Sequence, residues 1–540
     1  MRRRTFLQGA GLQGAGLQGA GLRGGVASLA MPSLAAAQNT RLLKFIPQAD
    51  LALLDPIQSP ALVTIMHACM VFDSLYGLDE TYKPQPQMVE GHTIENDGRL
   101  WRMTLREGLK FHDGTPVLAR DAVASILRWG KRDAFGLTVM AATDEVSAPT
   151  DRVVQFRLKK PFPLLPDALG KMGAYYCAIM PERLANTAPT TQVTEMVGSG
   201  PYRFVAAERV PGSLAVWQRN EAYQPRQGGT TSLLAGPKIA HFDRVEWHTI
   251  PDAATAAAAL QSGEVDWWDQ PDPDLLAMLR KNENVTVQVQ DSTGFLGMVR
   301  PNEMQPPFNN PAIRRAVMGA INESDFMIAV AGTDRAMWRD NVGFFHPASP
   351  LANDAGMGAL IGPRDYAKVK RDLAAAGYNN ERVVLLAATD IPSLNAMAEV
   401  AGDMFRKIGL NVDYQSTDWG TVVQRLSSKA PVEKGGWSAY TNFVFGASMV
   451  NPAANNYIRG NGGAAMFGWP DAPKLEELRT AWLDAPDLDT QKTIARALQV
   501  QAFQDVPYWP TGMFFQATAF RRNITGVLKG FGLFYNVRRT

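Results

Sequence analysis

From residue 41 onward the apolar and polar positions alternate between a period near two and a period near 3.6. Residues 41–46 (Arg-Leu-Leu-Lys-Phe-Ile) read as a short strand, which Leu53-Leu54-Asp55-Pro56 breaks. Residues 60–75 read as a helix, with Leu62, Met66, Cys69 and Met70 near helical spacing. Over 99–106, Trp101, Met103 and Leu105 alternate with Leu100, Arg102, Thr104 and Arg106, as a half-buried strand requires. Lys110-Phe111-His112-Asp113-Gly114-Thr115-Pro116 is a turn, since Asp-Gly followed by Pro interrupts regular structure. A helix is predicted from about Ala119, with Val123, Ile126 and Leu127 on one face, and a strand over Val153 to Leu158.

Further along, 198–223 predicts a strand pair and 244–250 a strand. Ala253 to Ser262 reads as a helix stopped by Gly263, and Val285 to Gln290 as a strand. From Asn310 the helical period is clear, with Pro311 near the start and Ile313, Val317 and Ile321 inside. A helix over 365–376 closes at Gly377. Strand 383–388, helix 394–408, strand 410–415 and helix 419–426 follow in order. Such alternation indicates an α/β lobe. Helices near 474–484 and 490–504 precede a strand-like, aromatic end at 508–537.

Length, charge and cysteine count narrow the classes. A chain of 540 residues suggests three or four domains or two large lobes. No apolar run reaches the ~18–20 residues that a spanning helix needs. A formal charge of +2 is too small a basic excess for a nucleic-acid footprint. Two cysteines exclude a disulfide scaffold and a four-cysteine zinc or iron–sulfur site. Cys69 and Cys177 could form one bridge or stand as two buried thiols.

Residues 1–37 read as an export signal. Arg2, Arg3 and Arg4 come first, then a weakly apolar stretch, then Ala35-Ala36-Ala37. Arg3-Arg4-Thr5-Phe6-Leu7 resembles a twin-arginine signal. Its loss near Ala37 removes four arginines and no acid, so the net charge becomes −2. No cysteine lies near that point to carry a lipid. Gly9-Ala10-Gly11-Leu12-Gln13-Gly14 spells a dinucleotide fingerprint, but no strand precedes it and the pattern belongs to a five-residue repeat, so it is spacer.

Six blocks, taken in order, resemble the dipeptide- and oligopeptide-binding proteins that serve ABC importers (extracellular solute-binding proteins, family 5). They are Asn96 through Pro116 with Arg120-Asp121-Ala122-Val123; Gly198-Ser199-Gly200-Pro201-Tyr202 with Arg219-Asn220; Leu260 through Asp266; Pro307-Phe308 with Ile313-Arg314-Arg315-Ala316 and Ala320-Ile321-Asn322; Ala376-Gly377-Tyr378; and Lys407-Ile408-Gly409-Leu410. Order and spacing agree over most of 41–537. The resemblance implies a two-lobed α/β fold of the periplasmic-binding-protein type (class II, the large cluster C form), with a hinge and an interlobe cleft. Lobe one is then expected over 38–285 plus 505–540, with an inserted subdomain at about 70–195, and lobe two over 286–504. It further implies a periplasmic, monomeric, non-enzymatic protein that closes over a small-molecule ligand and presents it to an ABC permease complex, with no cofactor, metal or nucleic acid.

The residues agree with a non-catalytic reading. There is no H-E-x-x-H, no G-x-S-x-G and no P-loop. His241 and His248, seven apart on a strand, fall on opposite faces. His112-Asp113 sits in a turn shared by the family and is expected to bond loop backbone. The resemblance places ligand contacts at Trp268, Phe295, Trp419, Trp437, Tyr440, Asn442 and Trp509. Peptide binders of the family hold the peptide's ammonium with an aspartate shortly after the tryptophan at this segment. Residues 435–470 here contain no Asp or Glu, and Asn442, Asn451, Asn455 and Asn456 stand instead. An unpaired buried ammonium is costly. Either the ligand lacks one, or Asp55 or Asp418 meets it. A peptide or amino-acid derivative is the first expectation; an opine, sugar derivative or aromatic acid is the second.

Overall fold

The computed structural model describes residues 41–173 and 175–540; the expected signal at 1–37 lies outside them. Residues 41–540 form one compact unit built around two large sheets. The first has seven strands in the order Val285–Val289, Ala517–Arg521, Trp267–Trp268, Leu42–Ile46, Arg244–His248, Leu214–Arg219, Tyr202–Phe204. Leu42–Ile46 runs parallel to both of its neighbours, and every other pairing is antiparallel. Alternation along it sends Leu43 and Phe45 into the core. The Phe45 ring lies 4.9 Å from Phe534, 5.1 Å from Trp267 and 5.6 Å from Trp247. Helix Leu62–Val71 is buried on every side, which explains why its sequence is apolar all round rather than striped.

A four-stranded antiparallel sheet is inserted in this half, ordered Val89–Glu95, Leu100–Leu105, Val153–Leu158, Thr143–Thr150. The alternation read at 99–106 is the burial pattern of Leu100–Leu105. His112, in the turn that follows, reaches across to the 198–200 loop. Its backbone N–H donates to the Gly198 carbonyl at 2.8 Å, and its Nε2 lies 3.1 Å from the Gly200 carbonyl. A methyl group on Gly198 would come 2.0 Å from the Val71 carbonyl oxygen, so this close approach admits only glycine. Burial pushes the His112 imidazole down to about 4, and it stays neutral.

The second large sheet has six strands, ordered Trp338–Arg339, Trp509–Phe514, Phe295–Pro301, Ala439–Phe445, Arg382–Ala388, Asn411–Thr417. Arg382–Ala388, helix Pro392–Lys407 and Asn411–Thr417 form the parallel crossover expected from the sequence. Gly297 leaves room for side chains of the neighbouring strand and of helix Pro392–Lys407: a Cβ there would lie 2.5 Å from Thr511 Oγ1 and 3.0 Å from Met397 Sδ. The chain passes between the two sheets at 290–294 and again at 515–516. Val285–Val289 pairs wholly within the first sheet, and Trp509–Phe514, expected in lobe one, pairs with Phe295–Pro301 in the second. Its six residues are all buried, as an interior strand demands.

Asp55 is consumed inside the first lobe. Both of its oxygens meet Arg128, at 2.7 and 3.1 Å, and it also accepts from the Val193 N–H at 2.8 Å. Both side chains are almost fully buried. Cys69 and Cys177 are free and buried, in different apolar clusters, so the two-thiol alternative holds.

Two outcomes follow from these buried groups. Arg128→Gln leaves the Asp55 carboxylate without its partner and should cost about 3–5 kcal/mol, read as a lowered urea midpoint at an unchanged slope. His112 has its folded value depressed below the ordinary 6.5, so its neutral, bonded form stabilises the fold above that value, and the contribution is lost as pH falls toward 4. His112→Gln should therefore remove about 2 kcal/mol of the stability lost between pH 7.5 and pH 4.5, seen by comparing denaturation curves at the two pH values.

Candidate functional site

The lobes meet where Ala439–Phe445 leaves the second sheet. Phe445 and Ala447 pack against Leu62, Ile65, Met172, Gly173 and Phe531 of the first lobe, with the Phe445 and Phe531 rings 6.4 Å apart. Between Phe445 and Ala447, Gly446 donates its N–H to the Gly294 carbonyl at 2.9 Å. A Cβ on Gly446 would lie 2.1 Å from the Thr293 carbonyl oxygen, so only glycine passes this point of the crossing. His346 closes the same corner, with its Nε2 2.8 Å from the Thr293 carbonyl. Two polar contacts join the lobes farther out: Lys160 Nζ to Asp484 Oδ1 at 2.5 Å, and Arg479 Nη2 to Thr138 Oγ1 at 3.2 Å. The lobes are thus in contact, with apolar side chains beside the hinge and polar ones farther out.

A line of polar groups runs from this junction into lobe two. Asn442, half-buried, donates from Nδ2 to the Tyr457 hydroxyl at 3.1 Å. Tyr440 is paired across the strands with Arg300. Arg300 is fully buried; its Nε donates to the Phe467 carbonyl at 2.6 Å, and its Nη1 to the carbonyls of Tyr457 at 2.9 Å and Pro507 at 3.3 Å. The guanidinium also lies 5.3 Å from the centre of the Tyr457 ring. Its Nη2 has no hydrogen-bond partner among the described residues. Burial raises the Tyr457 phenol above its ordinary range, Arg300 and Asn442 pull it back, and Tyr175 of lobe one pushes it up again. Tyr175 therefore lies within electrostatic reach across the lobes. Its backbone φ is +56°, an unfavourable value for an aromatic residue and one that recurs at functional sites. The Trp129 indole holds its carbonyl at 2.8 Å, and the Arg132 guanidinium lies 5.9 Å from its ring.

Of the seven residues expected to bind ligand, four lie on the central strand pair of lobe two or just before it. Trp437 is buried, 5.4 Å from Tyr440 and 5.9 Å from Trp469. Tyr440 and Asn442 belong to the polar line, and Phe295 stacks among Phe443, Phe445 and Phe514 at the hinge end. Three are placed apart. Trp268 packs with Ile46 and Leu260 in a small cluster of lobe one. Trp419 opens the helix Trp419–Leu426 after the edge strand, its N–H on Asp390 Oδ1 at 2.8 Å. Trp509 is core, with its indole N–H on the Arg314 carbonyl at 2.9 Å. Asp418, the other carboxylate considered for an ammonium, caps the Trp419–Leu426 helix through the Thr421 N–H and hydroxyl. Arg300, Tyr457 and Tyr175 were not singled out from the sequence. The one available signal was a lone arginine inside the apolar run Phe295–Pro301.

No group of three or more His, Cys, Asp or Glu side chains suited to a metal occurs among the described residues. No described helix is long and apolar enough to cross a membrane.

Known proteins resemble this chain along nearly its whole length. A probable peptide ABC transporter periplasmic-binding protein of Sinorhizobium fredii is 33% identical over 507 residues, covering 93% of this chain and 94% of the relative. A glutathione-binding protein of Pectobacterium atrosepticum is 26% identical, covering 84% of this chain and 83% of its own. Two solved structures share the fold. The periplasmic binding protein AgaA of A. tumefaciens R10, in complex with agropinic acid, superposes with a TM-score of 0.78 at 21% identity, over 92% of this chain and 99% of that one. The Helicobacter pylori DppA complex with a peptide gives 0.76 at 20% identity, over 93% and 99%. The family description of bacterial extracellular solute-binding proteins, family 5, middle region, matches residues 83–464. The chain belongs to that family.

Proposed function

We propose that this protein captures a small organic solute between its lobes in the periplasm and hands it, chemically unchanged, to an ABC permease complex. The observation that carries this reading is the junction itself. Phe445 and Ala447 of lobe two pack against first-lobe groups, and two chain crossings, 290–294 and 515–516, join the sheets among the described residues. Lobe one then comprises the residues before 290 and after 516, and lobe two those between the crossings. Rotation about that double connection separates the two halves of the site and rejoins them. A solute that touches both halves selects the joined form by its better contacts there. The protein acts as a monomer.

The solute class follows from the site's charge. A peptide or amino-acid derivative remains the first reading, in keeping with the relatives' names. An opine-like solute is the second, favoured by the acid-free stretch 435–470 and by the agropinic acid complex among the fold neighbours. Residues 1–37 act as a twin-arginine export signal.

A thermal-shift screen of peptides, opines and sugars should find a solute that raises the melting temperature by mass action. Small-angle scattering with that solute should show a smaller radius of gyration than without it. An unchanged envelope with a proven solute contradicts the hinge, and turnover of the solute contradicts the non-enzymatic reading. Tyr457→Phe and Asn442→Ala should each weaken binding about tenfold, the loss expected for one good hydrogen bond. Asp484→Ala, at an exposed pair, should change it less than about fivefold. Replacing Arg3 and Arg4 together by lysine should leave the protein in the cytoplasm, read by cell fractionation.

A further inference from the structure

We infer that Arg300, with Tyr440, Tyr457 and Asn442, forms an anion subsite, so that the captured solute presents a carboxylate there and no free ammonium. This deepens the solute-capture reading and rests on it.

The inference starts from charge and satisfaction. Arg300 is fully buried and has no carboxylate within ion-pair distance among the described residues. Glu303, whose carboxyl feels Arg300, is paired with Arg314 at 2.7 Å and keeps its other oxygen buried without a hydrogen-bond partner. Three buried acids of the first lobe are matched, Asp55 by Arg128, Asp73 by Lys238 at 2.7 Å and Asp133 by Lys171, whereas Asp269 has no cationic partner among the described residues. Several buried charges in this protein are paired, but Arg300, like Arg479, Glu323 and Asp269, is buried with no ion-pair partner among the described residues. Three carbonyls occupy its Nε and Nη1 and fix the plane of the guanidinium. The Nη2 edge is left buried and unpartnered, at a cost that a charge-assisted bond from a ligand would remove.

The strand register places Arg300 beside the rest of the polar line. Arg300 and Tyr440 are cross-strand partners, and Asn442 is two residues along from Tyr440, on the same face of the strand. Asn442 is half-buried and bonds Tyr457, whose ring lies beneath the guanidinium and whose hydroxyl feels Tyr175 of lobe one. On the lobe-one side, Arg132 lies over Tyr175 and adds a second positive group. Every side chain on this line is cationic or neutral, and the stretch 435–470 supplies no acid. An ammonium would meet two guanidinium groups of its own sign, and the acid on the lobe-one side, Asp133, is already paired with Lys171. A carboxylate would meet a guanidinium edge with phenol and amide groups beside it.

The test uses the purified protein and a compound set in which each skeleton occurs as the acid and as its primary amide. The skeletons are an N-acetyl dipeptide, an opine-type N-carboxyalkyl amino acid, a sugar acid and an aromatic acid, with a dipeptide amide added as the ammonium-only probe. Calorimetry should give acids that bind 10–100-fold more tightly than their amides, the range expected for a buried bond to a charged group. Arg300→Gln should erase that preference. If Arg300→Gln fails to fold, Asn442→Asp, at a half-buried position, should lower acid binding at least tenfold while its melting temperature without ligand stays near that of the parent. An amide or the ammonium-only probe that binds as tightly as an acid overturns the anion subsite alone. Failure of every skeleton in both forms, with no change in scattering, overturns solute capture and the subsite together.

Discussion

Two short connections at 290–294 and 515–516 are the constraint on which the rest of the molecule depends. Each sheet is a complete packing unit, and the strands that flank the connections belong wholly to one sheet or the other. The residues between them make few alternative arrangements possible. Gly446 lies so close to the Thr293 carbonyl that no side chain fits, and His346 bonds that same carbonyl. The corner is therefore tightly packed on both backbone segments that join the sheets. The interlobe contacts beyond it are apolar at Phe445 and Ala447 and polar at Lys160–Asp484 and Arg479–Thr138.

Local pattern was legible where one face of an element is buried and the other is wet. Leu100–Leu105 alternates in sequence and in burial alike, and the crossover formed by 382–417 was read almost to its ends. The terminal aromatic segment was harder. Trp509–Phe514 is buried on both faces and carries no period, so sequence alone could not assign it to a sheet. Members of the proposed site were legible only within the segment that the family resemblance marks. Tyr440 and Asn442 did. Tyr457 reaches Asn442 through a loop whose path no local rule sets, and Tyr175 comes from the other lobe. Trp268 and Trp509 show the opposite limit: a tryptophan is more often core than contact, and both are core here.

The distribution of buried charge separates structure from binding. Asp55–Arg128 and Asp73–Lys238 are closed pairs, each with further bonds that satisfy the remaining atoms. They fix loops and hold no spare capacity. Arg300 is closed on two of its nitrogens and open on the third. A group with the same burial but incomplete satisfaction destabilises the empty fold slightly and favours whatever completes it. The acid-free stretch beside it sets the sign of that completion.

The unlinked cysteines have a consequence of a different kind. Cys69 and Cys177 sit in separate apolar clusters, and burial raises the Cys69 thiol to about 12 and the Cys177 thiol higher still. Almost no thiolate is available to attack or be oxidised at neutral pH. The covalent chain is therefore the same under reducing and oxidising conditions. Folding can be completed on either side of a membrane without a thiol oxidant, and the finished molecule meets a change of redox environment with its bonding unaltered.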